Sequence, residues 1–367
     1  MRKTHVVAGL SLCALLLAGC TVAAPDGSGE GTPVDTPTLD APESLGEDWL
    51  TLGTWADGAE DADREYAEAA REDADVDQMR LSNQYGDVAA VSETYVLEDP
   101  NTTLDLRAVE APAPAYFEHY VDPEDPKVIG VTEARTVDGN SCLLAFSDPQ
   151  GEETAEDTVT SCMRSSEDLT VWVENVEGLP ETVLPLLDDA WEQLGGGEAT
   201  AWPRGGDEPI ELPQSVGELS DYSTNSELAY GAELAVIMEQ DVALLSGIYG
   251  GSAAAETTYV DDELQNRFTL RAVRSDTPGE YVRYSDAERG GLLAPALDTA
   301  VFGQTACIVN NELVELGGDE GDLDPRAWSC MRTGNGLTVW IDVIGGDLGL
   351  DPETLAGYLD EVYEANV

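Results

Sequence analysis

One phrase occurs twice in this chain, and the repeat constrains the fold more than any other feature. SCMR at 161–164 precedes LTVWV at 169–173, and SCMR at 329–332 precedes LTVWI at 337–341. In the second copy the two segments are joined by Thr-Gly-Asn-Gly at 333–336. Gly and Asn tolerate positive φ, so each pair of segments is predicted to form a β-hairpin. The matched Trp172 and Trp340 are interpreted as core residues because Leu, Val and Ile alternate around them; a ligand platform is the alternative.

Further segments match between the two copies in an unchanged order, with spacing that differs by only a few residues. This order indicates a tandem duplication of a unit of roughly 150 residues, close to an ordinary domain size. The period is too long for a solenoid repeat. The matching segments are Pro42–Glu47 with Pro213–Glu218, Leu81–Gly86 with Leu245–Gly250, Thr94–Val96 with Thr258–Val260, Leu106–Val109 with Leu270–Val273, and Pro180–Thr182 with Pro352–Thr354.

Two stretches rich in Gly, Pro, Thr and Asp divide the chain, as flexible or connecting segments do. They predict five parts in all. These are a leader at 1–19, a flexible tether at 20–41, a first domain at 42–194, a linker at 195–212 and a second domain at 213–367.

Each domain is predicted to be α+β, a mostly antiparallel sheet with helices packed on it. A helix is predicted early in each copy, at 59–79 and 228–245, from its content of helix formers. An amphipathic helix closes each copy, and in the second copy Asp351 and Pro352 suit its N-cap and first position. Its apolar face carries Val183, Leu187, Trp191 and Leu194 in copy one, and Leu355, Tyr358, Leu359 and Val362 in copy two. Strands are predicted at Val88–Leu97, Thr103–Glu110, Val128–Val137, Ser141–Phe146, Thr158–Arg164 and Leu169–Val173.

Four cysteines, Cys142, Cys162, Cys307 and Cys330, are predicted to form two disulfides. An even number in an exported chain favours disulfides, and the simplest pairing lies within each copy because the duplication carried both members. Each bond would close a loop of about twenty residues and stabilise the fold by roughly 3 kcal/mol. A redox or metal pair is the alternative, but neither pair has CxxC spacing and His119 is the one histidine after the leader.

The first 20 residues have the layout of an export signal. Arg2 and Lys3 precede an apolar run at 6–17, which is too short to span a bilayer. LAGC at 17–20 then resembles the lipobox of bacterial lipoproteins, a family in which the cysteine receives a diacylglycerol and the chain is cut just before it. The resemblance implies lipidation of Cys20 and lasting attachment to the outer side of the cell membrane. An ordinary secretory signal is the alternative.

The chain is strongly acidic, with 74 Asp and Glu against 17 Lys and Arg and a net charge of −57. Phosphate binding requires Lys and Arg, so nucleic acid is not expected as a partner. Long-range attraction favours cations, basic peptides and basic proteins instead. An apolar fraction of 42% is ordinary for globular proteins, so the chain can still bury a core.

No motif points to catalysis, a metal or a cofactor. GxSxG, P-loop and HExxH patterns are absent. His119 is interpreted as a surface or half-buried residue, and its counterpart in copy two is Arg283. Residues 73–77, DADVD, begin like an EF-hand loop, but Gln78 stands where glycine is required, so they are interpreted as a solvated helix face.

Four arginines, Arg107 with Arg271 and Arg164 with Arg332, occupy matched positions in a chain that has few cations. The guanidinium of arginine can form a bidentate pair with a carboxylate, through two hydrogen bonds. Two interpretations are open. The four side chains form internal salt bridges, or each domain uses them in an anion- or carboxylate-binding pocket.

Taken together, the pattern resembles the surface lipoproteins of high-GC Gram-positive bacteria, the actinobacteria. It is also loosely similar to the cysteine-stapled extracellular sensor domains of actinobacterial kinases, a likeness without a diagnostic motif. We therefore expect a membrane-anchored extracellular lipoprotein with a non-catalytic binding or sensing role. A structural or accessory protein of the cell envelope is the alternative, and a carboxylate-dependent hydrolase is a less favoured one.

Overall fold

In a computed structural model of the chain, each half contains an eight-stranded antiparallel sheet, and the two sheets have the same strand order. The strands of the first half are β1 Ser44–Leu45, β2 Trp49–Thr51, β3 Ala90–Val96, β4 Thr103–Val109, β5 Thr132–Val137, β6 Asn140–Ala145, β7 Thr158–Ser165 and β8 Thr170–Gly178. Those of the second half are β9 Ser215–Val216, β10 Leu219–Asp221, β11 Ala254–Val260, β12 Arg267–Val273, β13 Leu297–Phe302, β14 Thr305–Asn310, β15 Arg326–Gly334 and β16 Leu337–Val343. The first sheet has the order β1-β2-β3-β4-β8-β7-β6-β5 and the second has β9-β10-β11-β12-β16-β15-β14-β13.

The helices are α1 Leu52–Ala56, α2 Asp61–Gln84, α3 Pro180–Gln193, α4 Gly231–Ile248 and α5 Pro352–Asn366. In the two halves α2 and α4 occupy equivalent places, as do α3 and α5, whereas α1 has no counterpart among the described residues of the second half. The α+β prediction, with two similar halves, is confirmed. Residues 35–367 form one compact unit.

The structure describes most of this unit. The described residues are 37–46, 48–57, 61–97, 102–117, 132–145, 158–222, 231–261, 267–279, 282, 286–287, 289, 291–311, 313–316, 325–343 and 352–367. The lipidation candidate Cys20, as well as His119, Arg283 and Asp351, lies outside the described residues.

In each half the closing helix covers one face of the sheet, and the main core lies between them. The apolar stripe predicted for α3 packs on the first sheet, and that of α5 packs on the second. Removing a Leu or Val side chain of this kind from water contributes roughly 1.5–3 kcal/mol. The fully or nearly fully buried members are Val183, Leu187, Trp191, Leu355, Leu359 and Val362, while Leu194 and Tyr358 are half-buried.

Each core contains one disulfide, as predicted. Cys142–Cys162 joins β6 to β7, and Cys307–Cys330 joins β14 to β15. In each pair the two residues lie directly opposite each other in the sheet register. All four residues are fully buried, so the bonds serve as internal cross-links and are out of reach of a redox partner.

The predicted hairpins are also present, because β7 pairs with β8 and β15 with β16. In the second hairpin Asn335 and Gly336 have φ of 52° and 72°. These are the left-handed values that Asn and Gly tolerate.

Two segments predicted as tether and linker are partly bound to the sheets. In residues 37–41 the amide of Leu39 donates to the carbonyl of Ala90 at 2.9 Å. In residues 195–212 the amide of Gly206 donates to the carbonyl of Arg274 at 2.8 Å. Each segment carries apolar side chains that pack against a core, among them Leu39, Ile210 and Leu212. Despite their Gly- and Pro-rich composition, these residues therefore pack on the folded halves.

Candidate functional site

The second face of each sheet carries a matched set of aromatic and sulfur side chains. Side chains alternate between the faces of a strand, so Met163 lies on the face opposite to Cys162. Met163 pairs with Trp172 across β7 and β8, and Met331 pairs with Trp340 across β15 and β16. The tryptophans are 8% and 7% exposed and belong to clusters separate from the main cores. Their burial agrees with the core interpretation, on the face away from the closing helix.

The ends of α2 and α4 bring one tyrosine each to this face. The ring of Tyr85 lies edge-on to Trp172 at a centroid distance of 6.1 Å, and Tyr249 is tilted against Trp340 at 6.5 Å. Gly86 and Gly250 follow the tyrosines with φ of 87° and 64°. This left-handed glycine ends each helix at that point, which leaves the tyrosine on the last turn.

The two halves contact each other through these faces. The ring of Phe117 lies 4.7 Å from the guanidinium carbon of Arg271. The side-chain amide of Gln84 donates to the carbonyl of Gly279. Arg289 reaches α2 of the first half, where it pairs with Asp73 at 2.8 Å and Glu72 at 3.0 Å.

A cavity of about 240 Å³ lies at this junction. The first half supplies most of its wall, and the second half supplies the rest. Its lining is dominated by aromatic, sulfur-containing and proline side chains. The lining residues are Leu81, Gln84, Tyr85, Arg107, Ala113, Pro114, Tyr116, Met163, Trp172 and Glu174 from the first half, and Tyr249, Thr277, Pro278, Gly279 and Met331 from the second.

Several lining residues are counterparts of one another in the two copies. The offset of 164 that relates Arg107 to Arg271 also relates three lining pairs, and the offset of 168 that relates Cys162 to Cys330 relates a fourth. The cavity therefore lies where equivalent surfaces of the two copies face each other. The pairs are Tyr85 with Tyr249, Ala113 with Thr277, Pro114 with Pro278, and Met163 with Met331.

The polar groups of the cavity are engaged with one another. Arg107 forms an ion pair with Glu174, and the hydroxyl of Tyr116 donates to Glu174 Oε1 at 3.4 Å. The same hydroxyl shares a hydrogen bond of 3.0 Å with Ser161. Burial raises the pKa of Tyr116 well above its ordinary value, and burial also raises the pKa of Tyr85 and Tyr249. The phenols are therefore neutral at physiological pH, and the wall suits binding by packing and ring contacts.

Each of the four arginines at matched positions is held by carboxylates of its own half. The internal salt bridge, one of the two interpretations of the sequence, is thus present at all four, and anion binding by them stays a prediction. Of the four, Arg107 lies at the cavity. The pairs are Arg107 with Glu174, Arg271 with Glu256 and Asp342, Arg164 with Asp188, and Arg332 with Asp360 and Glu364.

The EF-hand-like stretch at 73–77 lies inside α2, as predicted. The prediction of a solvated face is wrong for Asp77, which is buried and accepts a hydrogen bond of 2.7 Å from Ser92 Oγ. The cause is the packing of α2 on β3, which turns this side of the helix toward the sheet. Among the described residues, no group of three or more His, Cys, Asp or Glu is placed to hold a metal ion.

The tyrosines of the cavity were not predicted as site residues from the sequence. A signal for two of them was present, because Tyr85-Gly86 and Tyr249-Gly250 match between the copies. Tyr116 has no tyrosine counterpart, since residue 280 is Glu, and its position at the cavity depends on the path of the loop after β4.

A wider groove of about 470 Å³ lies in the second half, open to solvent. Its walls are mostly small side chains, and two of its three charged residues, Arg204 and Asp207, pair with each other; the third is Glu239. It offers no ring, and its buried polar side chain, Ser252, is already hydrogen-bonded to the backbone of Gly205 and Tyr249. The cavity between the halves is therefore the better candidate site.

The chain matches no protein-family model and no curated protein. A solved structure of MucB in complex with MucA(peri) covers 72% of this chain and 81% of that chain at 10% sequence identity, with a TM-score of 0.11. A likeness at this level carries no argument about fold or function. Within the described residues, no helix is both long and apolar enough to cross a membrane.

Proposed function

We propose that this chain is a membrane-anchored extracellular lipoprotein with a non-catalytic binding or sensing role, and that it binds a small molecule in the cavity between its two halves. The observation that carries the proposal is the cavity itself. Small-molecule sites are concave, mostly apolar, and carry a few placed polar groups at the junction of structural units. With about 240 Å³, the cavity is slightly smaller than the roughly 300–1,000 Å³ of typical sites, which favours a small ligand.

The placement outside the cell is supported by two features of the sequence and fold. The LAGC sequence at 17–20 resembles a lipobox. Two buried disulfides suit an oxidising compartment, where such bonds persist. A site between two halves suits a sensor, because a ligand bound there contacts both halves at once.

A side chain placed into the cavity tests the binding site. Gly279 lines the cavity, and a Cβ added there meets no heavy atom within 4 Å. We expect fragments that bind the full chain, detected by ligand-observed NMR, to lose binding in Gly279→Phe because the ring occupies their space.

The matched control is Gly357→Phe on α5, where an added Cβ is equally unobstructed and the site is exposed. This variant should bind fragments like the wild type. If Gly279→Phe folds and binds every fragment as the wild type does, the cavity is not the binding site.

Cys20→Ala tests the anchor. Without the thiol no diacylglycerol can be attached, so we expect the chain to move from the membrane fraction to the soluble fraction when cells are fractionated. Lipid-dependent phase partitioning of the wild type in detergent is the companion measurement. A Cys20→Ala chain that stays in the membrane pellet would contradict lipid anchoring.

A further inference from the structure

We propose that the ligand of the cavity is a small organic cation of the methylated-ammonium class. This inference rests on the function proposed above and names the chemistry of its ligand. The wall contributes four aromatic side chains, Tyr85, Tyr116, Trp172 and Tyr249. Aromatic faces attract cations through their quadrupole, and rings that surround a methylated ammonium are a recurring way to bind it.

The protein already uses aromatic rings to hold cations at other places. The guanidinium carbon of Arg271 lies 4.7 Å from the Phe117 ring centroid, and that of Arg332 lies 4.1 Å from the ring of Tyr363. Arg164 lies 5.5 Å from the ring of Trp191. Three of the four matched arginines thus combine a carboxylate with an aromatic ring, and the cavity offers the same combination in Glu174 and its neighbouring rings.

The polar groups of the wall favour a cation that has few N–H groups. Glu174 accepts from Arg107 and from Tyr116, and Tyr116 also contacts Ser161. A primary ammonium would lose the water bound to three N–H donors and would have to compete for these acceptors, which is costly in a buried site. A methylated ammonium carries its charge under methyl groups, so it needs contact with rings and with the sulfur atoms of Met163 and Met331 instead.

Charge and size agree with this ligand class. The net charge of −57 attracts cations and repels anions over long range. The charges of Arg107 and Glu174 largely cancel within the wall, so the rings decide the preference. The volume of about 240 Å³ equals that of about eight water molecules at roughly 30 Å³ each, which is enough for a molecule of the size of choline.

The test compares choline with dimethylbutanol, the neutral isostere in which carbon replaces the charged nitrogen. Titration calorimetry of the full chain in detergent micelles is expected to show choline binding about tenfold more tightly than dimethylbutanol, the effect of cation–ring attraction in a desolvated site. Because the two probes have the same shape, the difference measures the charge alone.

Substitutions of the aromatic residues that line the cavity test whether choline binds there. Tyr249→Leu is expected to weaken choline about tenfold and to change dimethylbutanol little, whereas Tyr249→Phe keeps the ring and the affinity. Tyr66→Leu is the control outside the cavity, since Tyr66 is 53% exposed on α2. If Tyr249→Leu fails to fold, Tyr85→Leu on the wall that the first half supplies gives the same test.

Each outcome separates the ligand class from the proposed function. Equal affinity for the two probes, both blocked by Gly279→Phe, would overturn the cation class and leave small-molecule binding in place. Choline binding that survives loss of either ring would overturn it too, because the cation would then sit on the acidic surface. If neither probe binds but fragments do, the ligand belongs to another class; if nothing binds in the cavity, both proposals fail.

Discussion

Replacing Arg271 by leucine is expected to lower the free energy of unfolding by roughly 3–5 kcal/mol, as breaking a buried ion pair does. The side chains of Arg271 and Glu256 are 3% and 2% exposed, and Nε donates to Glu256 Oε2 at 2.7 Å. The variant leaves Glu256 buried without its cation and also removes the contact with Phe117 that joins the halves. Urea unfolding followed by circular dichroism measures the change.

The matched control is Arg107→Leu in the other half. Its partner Glu174 is 19% exposed, and the position of Glu256 is occupied by Ser92, so less charge is stranded. We expect a smaller loss than at Arg271. Adding Glu256→Gln to Arg271→Leu should recover part of the lost stability, because the neutral amide costs less to bury. Equal losses at the two arginines would refute the argument from burial.

Removal of the second disulfide by Cys307→Ala with Cys330→Ala is expected to cost about 3 kcal/mol. The bond joins residues 23 apart in sequence and restricts the unfolded chain. The unfolding midpoint in urea should fall for this variant, measured against the oxidised wild type.

The first disulfide provides the comparison within the same molecule. Cys142 and Cys162 are 20 residues apart and occupy the equivalent strands. Because loop-closure entropy grows only with the logarithm of loop length, the two double variants should lose nearly equal stability. An unchanged midpoint in either variant would show that its cross-link does not restrict the unfolded state.

The duplication made much of the fold predictable. Matched segments placed the strands and closing helices, and a pair of cysteines in each copy led to the disulfides. Alternation along the hairpin also predicted burial of Trp172 and Trp340. These features depend on contacts within one copy, which are local patterns of hydrophobicity and turn chemistry.

The cavity was not predictable in the same way. It depends on contacts between copies, such as Phe117 with Arg271 and Gln84 with Gly279. The hydrophobic periodicity of a strand does not predict which face of one sheet contacts the other sheet. The binding of residues 202–212 to the second half was missed for a related reason. This segment is held by backbone hydrogen bonds and by a few apolar side chains that pack on the core. A composition rich in glycine predicts neither.

The joining of two equivalent faces within one polypeptide has a consequence for what the cavity can recognise. In a homodimer, a two-fold axis forces identical residues onto both walls. Here a covalent connection replaces the second subunit, so each wall has been free to change separately. The counterparts Ala113 and Thr277 both line the cavity, and the Arg107–Glu174 pair of the wall comes from the first half alone. For the ligand class proposed above, charged at one end and uncharged at the other, the unlike walls therefore predict one preferred bound orientation.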